Sequence, residues 1–235
     1  MTAQAGFLGL LDHWQTLVGS LLGGALGVIG AWIVATMTIR RQRWIAASAL
    51  LPDTQQLIAA HEALENALGA VEPPIAGWHQ PQWRAERLMR RRPMVQVLHD
   101  RATLTQVTDL DARLSAHLTH CRMAHVGFEE LLDEFTQTLN TSRAPGVDVP
   151  AAVEAVRRRA ARVNQAWDLC SEHAALATYF MDRFIFNRWP NLLHRLRMKL
   201  CRNDLDKRSA YLLKTGSLLT PPDTGAAQLD DEHPV

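Results

Sequence analysis

The chain has 235 residues, of which 47% are hydrophobic and 21% are charged, and its formal net charge at pH 7 is +1. Three cysteines, Cys121, Cys170 and Cys201, are too few for a disulfide framework, which excludes the disulfide-rich secreted class and suits a reducing cytoplasm. Phosphate-binding loops, dinucleotide fingerprints and nucleophile elbows are absent from the sequence, so we predict a protein that is not an enzyme.

The first element is a run of 24 residues, Thr16 to Ile39, without a charged side chain. Roughly 20 apolar residues cross the hydrocarbon core of a bilayer. Trp14 and Trp44 flank the run at positions where interfacial aromatic residues are common. We therefore predict a single transmembrane helix at 16–39. A cleaved signal peptide and a buried helix of a soluble protein are the alternatives, and the length of the run and its five glycines argue against them.

Charges next to the run predict its orientation. No Lys or Arg precedes it, whereas Arg40, Arg41 and Arg43 follow it at once. Because positive residues stay on the cytoplasmic side of a membrane, residues 1–15 are expected to be a short extracytoplasmic segment. Residues 40–219 are then a cytoplasmic domain attached to the inner (plasma) membrane of a bacterial type of cell.

Small residues recur at every fourth position within the run. This stripe consists of Gly19, Gly23, Gly27, Ala31 and Ala35. Small residues at this spacing let two transmembrane helices approach closely, so the stripe predicts a homo-oligomer or packing against a partner's transmembrane helix. A helix that faces only lipid is the alternative, because glycine is common in membrane helices in general.

Proline and glycine divide the rest of the chain. Pro52 is expected to interrupt the helix that leaves the membrane, and a further helix is predicted at 53–69. Loops are predicted at 70–83 and 141–150, where prolines and glycines cluster. Residues 220–235 contain prolines and acidic side chains and are expected to form a disordered acidic tail.

Two segments, at about 104–140 and 150–189, have apolar side chains at alternating steps of four and three, the spacing of a coiled-coil seam. The first seam is Leu114, Leu118, Cys121, His125, Phe128, Leu132, Phe135 and Leu139. The second seam is Val153, Val156, Ala160, Val163, Trp167, Cys170, Ala174, Ala177, Met181 and Phe184. Since the loop between them is short, the two helices should be antiparallel neighbours.

Folding this hairpin at its loop places Cys121 opposite Cys170. It also places an acidic group on the first helix opposite a basic group on the second: Glu129, Glu130, Asp133 and Glu134 face Arg157, Arg158, Arg159 and Arg162. The predicted fold is therefore all-α: a single N-terminal transmembrane helix followed by a cytoplasmic antiparallel helical bundle built around a long coiled-coil-like αα-hairpin.

A basic segment before the hairpin contains arginines interleaved with Trp78 and Trp83. Its arginines are Arg84, Arg87, Arg90, Arg91 and Arg92. Such a mixture suits anionic lipid headgroups, where each basic residue contributes about 1 kcal/mol, and we predict membrane lipids as the partner of this segment and of Arg40, Arg41 and Arg43. Nucleic acid, which arginine and tryptophan also bind, and a solvated basic face are the alternatives.

A second basic segment, at 183–202, has leucines on one face and arginines and lysine on another. It is expected to belong to the last helix of the bundle, at 190–214, and an amphipathic helix lying on a membrane is the alternative.

Zinc is the one metal that the sequence raises. Cys121 and His125 are four residues apart on one helix, and the predicted register brings Cys170 and His173 towards them, which suits tetrahedral coordination. No fixed ligand spacing supports this hypothesis, and buried cysteine more often packs as a small apolar side chain. We therefore expect these four residues to pack in the core and the protein to hold no cofactor.

These predictions describe a membrane-anchored, non-catalytic helical scaffold, adaptor or self-associating effector at the cytoplasmic face of the membrane. A membrane-perturbing toxic or defence effector is one alternative. A basic helical protein that binds nucleic acid or a metal is the other.

Overall fold

The structure is a computed structural model that describes most of the chain. The described residues are 3–71, 75, 77, 79–144, 148–187, 196–198 and 200–218, and for residues 3–13, 15 and 16 the backbone alone is described. Over this part of the chain every regular element is a helix and no strand is present. The tail predicted at 220–235, Trp78 and much of the second basic segment lie outside the described residues.

Six α-helices have both ends within the described residues. They are α1 (Ala3–Gly69), α2 (Gln80–Arg90), α3 (Arg101–Thr108), α4 (Ala112–Ser142), α5 (Val149–Met181) and α6 (Asp204–Thr215). A 3-10 turn at Val97–His99 precedes α3, and a π-helical turn at Asp182–Phe186 extends α5. The chain divides into two compact units, 1–45 and 46–235, and α1 contributes residues to both.

The first unit is an apolar helix with an uncovered surface. From Leu17 to Gln42 every described side chain is exposed. By length and composition this helix is able to cross a membrane, a property that signal sequences and core helices of soluble proteins share. Its apolar window is not buried within the chain, unlike the core helix of a soluble protein.

The helix continues through Pro52, so the predicted interruption at this residue is wrong. A proline inside a helix removes one backbone hydrogen bond and costs about 3 kcal/mol. Leu50 and Leu57, on either side of it, are completely buried in the core of the second unit. Burying each of these leucines contributes about 1.5–3 kcal/mol, which offsets the cost of the proline.

The core of the second unit lies between α4 and α5. Every seam position predicted in α4, from Leu114 to Leu139, is buried. Phe128 packs against Trp167 of α5 with ring centroids 5.1 Å apart, and both side chains are completely buried. Val153, predicted as the first seam residue of α5, is 55% exposed, so this prediction is wrong: Val153 lies in the first turns of α5, close to the loop that ends the bundle.

The first helix of the core begins at Ala112, whereas the sequence placed its start near residue 104. Residues 101–108 form the separate helix α3. Asp111 has an extended backbone, with φ −149° and ψ 134°, and its carboxylate accepts a hydrogen bond from the N–H of Arg113. An aspartate in this conformation is a strong N-cap, so a new helix starts here.

Asp53 of α1 holds the segment that connects α2 to α3. Its Oδ2 accepts hydrogen bonds from the backbone N–H groups of Gln96, at 3.0 Å, and Leu98, at 2.8 Å. Thr54, next to it, is joined to Thr178 of α5 by a hydroxyl–hydroxyl hydrogen bond of 2.9 Å. The connecting segment is thereby fixed to α1 by a buried carboxylate.

Candidate functional site

The small residues of the stripe form an open face in the structure. A Cβ atom added to Gly19, Gly23 or Gly27 would meet no atom within 4 Å, and Ala31 and Ala35 are exposed. Nothing in the described part of the chain therefore explains why small residues occupy these positions.

Polar side chains within the same helix are satisfied by the helix itself. The hydroxyl of Ser20 donates to the carbonyl of Leu17, at 2.9 Å. The hydroxyls of Thr36 and Thr38 donate to carbonyls three and four residues earlier, at 2.8 and 2.9 Å. Hydroxyls in a membrane helix make the same bonds, because hydrocarbon offers no other acceptor.

Two arginines of the basic segment are engaged inside the second unit. Arg84, whose side chain is 16% exposed, lies 2.8 Å from a carboxylate oxygen of Glu65 and 2.7 Å from one of Asp168. Its guanidinium group thereby joins α1 to α5 by contacting one carboxylate of each helix. Arg84 is thus part of the packing between these helices.

Arg92 is held in a similar way by α4. Its Nε lies 2.6 Å from a carboxylate oxygen of Glu129, and its terminal nitrogen lies 2.9 Å from Asp133. These two acids were expected to face the arginines of α5. Among the described residues, one pair of the predicted kind forms between α4 and α5, Arg159 with Glu134.

The remaining arginines of the segment, Arg87, Arg90 and Arg91, are half-buried or exposed. Arg87 lies over the ring of Trp83, with 5.5 Å between the guanidinium carbon and the ring centroid. Arg90 and Arg91 are exposed, and no acid of the described chain forms an ion pair with them. In the first unit, Arg40 and Arg41 are also exposed. Arg40, Arg41, Arg90 and Arg91 are therefore accessible to an external anion.

The two buried cysteines bind each other's backbone. The thiol of Cys121 donates to the carbonyl of Cys170 at 3.6 Å, and the thiol of Cys170 donates to the carbonyl of Cys121 at 3.8 Å. The hydrogen bond with Cys170 and then burial raise the pKa of Cys121 well above its usual range. Because zinc binds the thiolate, a thiol held protonated in this way is a poor ligand.

The two histidines proposed as zinc ligands lie in different surroundings. The ring of His125 lies 5.3 Å from that of His99, between centroids, whereas Nδ1 of His173 lies 2.9 Å from Nδ1 of His117. Over the described residues, no group of three or more His, Cys, Asp or Glu side chains is arranged to hold a metal ion. The structure thus gives the zinc hypothesis no geometric support.

His117, His173 and Ser209 form a buried hydrogen-bonded chain where α6 meets α4 and α5. Nε2 of His117 lies 2.7 Å from Oγ of Ser209, and its Nδ1 bonds His173. The Nδ1–Nδ1 bond needs one donor and one acceptor, so at most one of the two rings is protonated on both nitrogens. Burial and then the neighbouring histidines lower the pKa of His117 to about 3, and burial and then His120 lower that of His173 to about 4, so both rings are neutral at pH 7.

A serine, a histidine and an orienting group in one chain resemble an activated nucleophile. Ser209 and His117 are completely buried, so this conformation gives a substrate no access to them. A pKa of about 3 also makes His117 a weak base at neutral pH. The arrangement therefore fixes α6 in place. Sequence reasoning missed Ser209, and the one signal for it is its place beside Leu212 on the apolar face of α6.

A cavity of about 690 Å³ lies between α1, α2, α5 and α6. Both of its arginines form ion pairs: Arg84 binds Glu65 and Asp168, and Arg208 of α6 binds Glu172 of α5. Comparison of the chain with known protein families, with curated proteins and with solved structures finds no match.

Proposed function

We propose that the protein is a membrane-anchored, non-catalytic helical scaffold or adaptor that self-associates through the stripe of small residues on α1. The observation that carries this proposal is the uncovered apolar surface from Leu17 to Gln42. A patch much larger than a few hundred Å² does not stay in contact with water and marks a membrane or protein contact. The hydroxyls that bond their own helix favour lipid as the surroundings.

Self-association is supported by the open face of the stripe. Burial between helices in lipid gains little from the hydrophobic effect, so close backbone approach supplies the attraction. Gly19, Gly23 and Gly27 leave room for such an approach, and no atom of the described residues outside the helix itself occupies it.

Replacing two stripe glycines by leucine tests this proposal. Gly23→Leu with Gly27→Leu should raise the dissociation constant of the dimer at least about tenfold, because the added side chains hold the backbones apart. Energy transfer between fluorophore-labelled copies in lipid vesicles, measured against dilution in lipid, gives this constant.

A matched control adds leucine to the opposite face. Successive residues turn by about 100°, so Val18 and Ala25 point away from Gly23 and Gly27. Val18→Leu with Ala25→Leu should leave the constant unchanged. Equal weakening by both double variants, or by neither, would contradict association through the stripe. Vesicle leakage that the glycine variants abolish would instead support a membrane-perturbing effector.

The proposed orientation places the second unit in the cytoplasm, because Arg40, Arg41 and Arg43 follow the apolar run. Cys201 is exposed, whereas Cys121 and Cys170 are buried, so the native chain carries one accessible thiol among its three cysteines. A membrane-impermeant maleimide added to intact spheroplasts should leave Cys201 unlabelled, and permeabilised cells should label it. The variant Cys201→Ser is the control for specificity. Labelling of Cys201 in intact spheroplasts would mean that the second unit lies outside the cell, which contradicts the proposed orientation.

A further inference from the structure

A second cavity, of about 590 Å³, lies between the end of α2, the connecting segment 91–96, the 3-10 turn and α4. Its lining includes three consecutive guanidinium groups, those of Arg90, Arg91 and Arg92, and one carboxylate, that of Glu129. Arg92 is fixed by Glu129 and Asp133, so the two exposed arginines beside it supply the uncompensated positive charge. The cavity is therefore built to attract an anion.

One wall of this cavity carries polar atoms that have no partner. The side chain of His125 is 5% exposed, and neither of its ring nitrogens makes a hydrogen bond of good geometry, although the Pro93 carbonyl lies close enough to raise its pKa. Oε1 of Glu129 is also buried without a partner, and it lies 3.8 Å from Nε2 of His125, beyond hydrogen-bond distance. Both side chains line the cavity.

His125 is neutral at physiological pH. Burial, then the neighbouring His99, lower its pKa to about 4, against an opposing effect of the Pro93 carbonyl. A neutral imidazole offers one N–H donor and one acceptor. With the Glu129 carboxyl group beside it, the wall presents a donor and an acceptor at adjacent positions. A hydroxyl group complements both, since it accepts from the imidazole and donates to the carboxylate.

We propose that this cavity is a binding site for a phosphate ester that carries a neighbouring hydroxyl, such as a phosphoglycerol group. Arg90 and Arg91 contact the phosphate, and the hydroxyl bridges His125 and Glu129. Arg92 is bound to Glu129 and keeps that carboxylate oriented. The site is independent of helix association through the stripe. Its ligand chemistry is shared by a lipid headgroup and by a soluble ester.

The test uses the full-length chain in an uncharged detergent and isothermal titration calorimetry. Glycerol 1-phosphate should bind at least about tenfold more tightly than inorganic phosphate, because only the ester supplies the hydroxyl, and glycerol alone should not bind. Arg90→Ala with Arg91→Ala should weaken both phosphate ligands at least about tenfold. The pair Arg157→Ala with Arg158→Ala, exposed arginines on α5, is the control and should change neither.

His125→Leu and Glu129→Gln separate the hydroxyl from the phosphate. Each should lower the affinity for glycerol 1-phosphate towards that for inorganic phosphate while leaving inorganic phosphate binding unchanged. Because His125 is buried, the milder Glu129→Gln keeps the test valid if the leucine variant fails to fold. Equal affinity of the wild type for the two phosphates, or equal weakening by the control pair, would overturn the proposal.

Lipid composition distinguishes the two sources of the ligand. The chain is reconstituted in nanodiscs whose anionic lipid is phosphatidylglycerol or phosphatidylserine, and glycerol 1-phosphate is titrated into each. A lipid headgroup in the site lowers the apparent affinity for the soluble ester in phosphatidylglycerol alone, by at least about tenfold. Equal affinity in both discs, with the variant effects retained, assigns the site to a soluble ester. Absence of binding in both discs and in detergent overturns the proposal.

Discussion

Lowering the pH from about 7 to about 5 should reduce the free energy of unfolding of the second unit by about 4–6 kcal/mol. The cause is three buried histidines: His117, whose pKa is lowered to about 3, and His125 and His173, whose pKa values are lowered to about 4. In the unfolded chain each regains a pKa of about 6.5. The unfolded state therefore binds protons first as the pH falls.

The stabilisation by these neutral histidines is complete well above pH 6.5 and is lost as the pH falls from there towards 4 for His125 and His173 and towards 3 for His117. At pH 5, each histidine with a folded pKa near 4 accounts for a loss of about 2 kcal/mol. His117 and His173 share a hydrogen bond, so their contributions are not additive, and the range given above reflects this. Carboxylates remain mostly ionised at pH 5, which leaves histidine as the group that titrates in this window.

Urea unfolding of the full chain in uncharged detergent, followed by circular dichroism at several pH values, measures this loss. His173→Gln should be less stable at pH 7 but should lose about 2 kcal/mol less between pH 7 and 5. His61→Gln, at a site whose side chain is 33% exposed, is the matched control and should keep the wild-type loss. A wild-type stability that does not change over this window would contradict the buried neutral histidines.

The seam of α4 could be predicted because the buried side chains of a helix recur at a regular spacing in its sequence. Residues from Leu114 to Leu139 recur at helical spacing, and all of them are buried. The periodicity does not indicate which other part of the chain packs on this core. Gln96 and Leu98 donate to Asp53, more than 40 residues earlier, and no local pattern marks this contact.

Ion pairs show the same limit. The acids of α4 were expected to face the arginines of α5, because the hairpin register brings these charges to the same level. Glu129 and Asp133 instead bind Arg92, which lies on the segment that connects α2 to α3. Arg157 and Arg158 pair with Glu154 of their own helix. Exposed ion pairs, such as those of Arg157 and Arg158, contribute at most about 1 kcal/mol, so they do not determine the register.

Only part of the candidate anion site could be predicted from the sequence. Arg90 and Arg91 stand out in the sequence because three arginines are consecutive. The partnerless wall formed by His125 and Glu129 depends on how α4 turns towards the connecting segment, which tertiary packing decides. The sequence raised His125 as a zinc ligand near Cys121 and Cys170, whereas the structure places its ring beside His99. Coiled-coil packing along the whole hairpin stays a prediction.

Trp167→Ala should lower the free energy of unfolding by about 3–5 kcal/mol. Trp167 is completely buried and packs against Phe128, so the truncation removes a large apolar side chain, an aromatic contact and the packing around both. Chemical unfolding at pH 7 measures the loss as a lower urea midpoint with an unchanged slope.

Two further variants separate packing from hydrogen bonding and test the seam itself. Nε1 of Trp167 is buried without a hydrogen-bond partner, so Trp167→Phe removes an unsatisfied donor together with part of the ring. We expect it to cost less than about 1.5 kcal/mol.

Val153→Ala, at a seam position that the structure exposes, should change stability by less than about 0.5 kcal/mol. A cost for Val153→Ala comparable with that for Trp167→Ala would mean that the seam continues to the start of α5, as the periodicity alone predicts. A near-zero cost would mean that the core ends one turn further on, at Val156, which is buried.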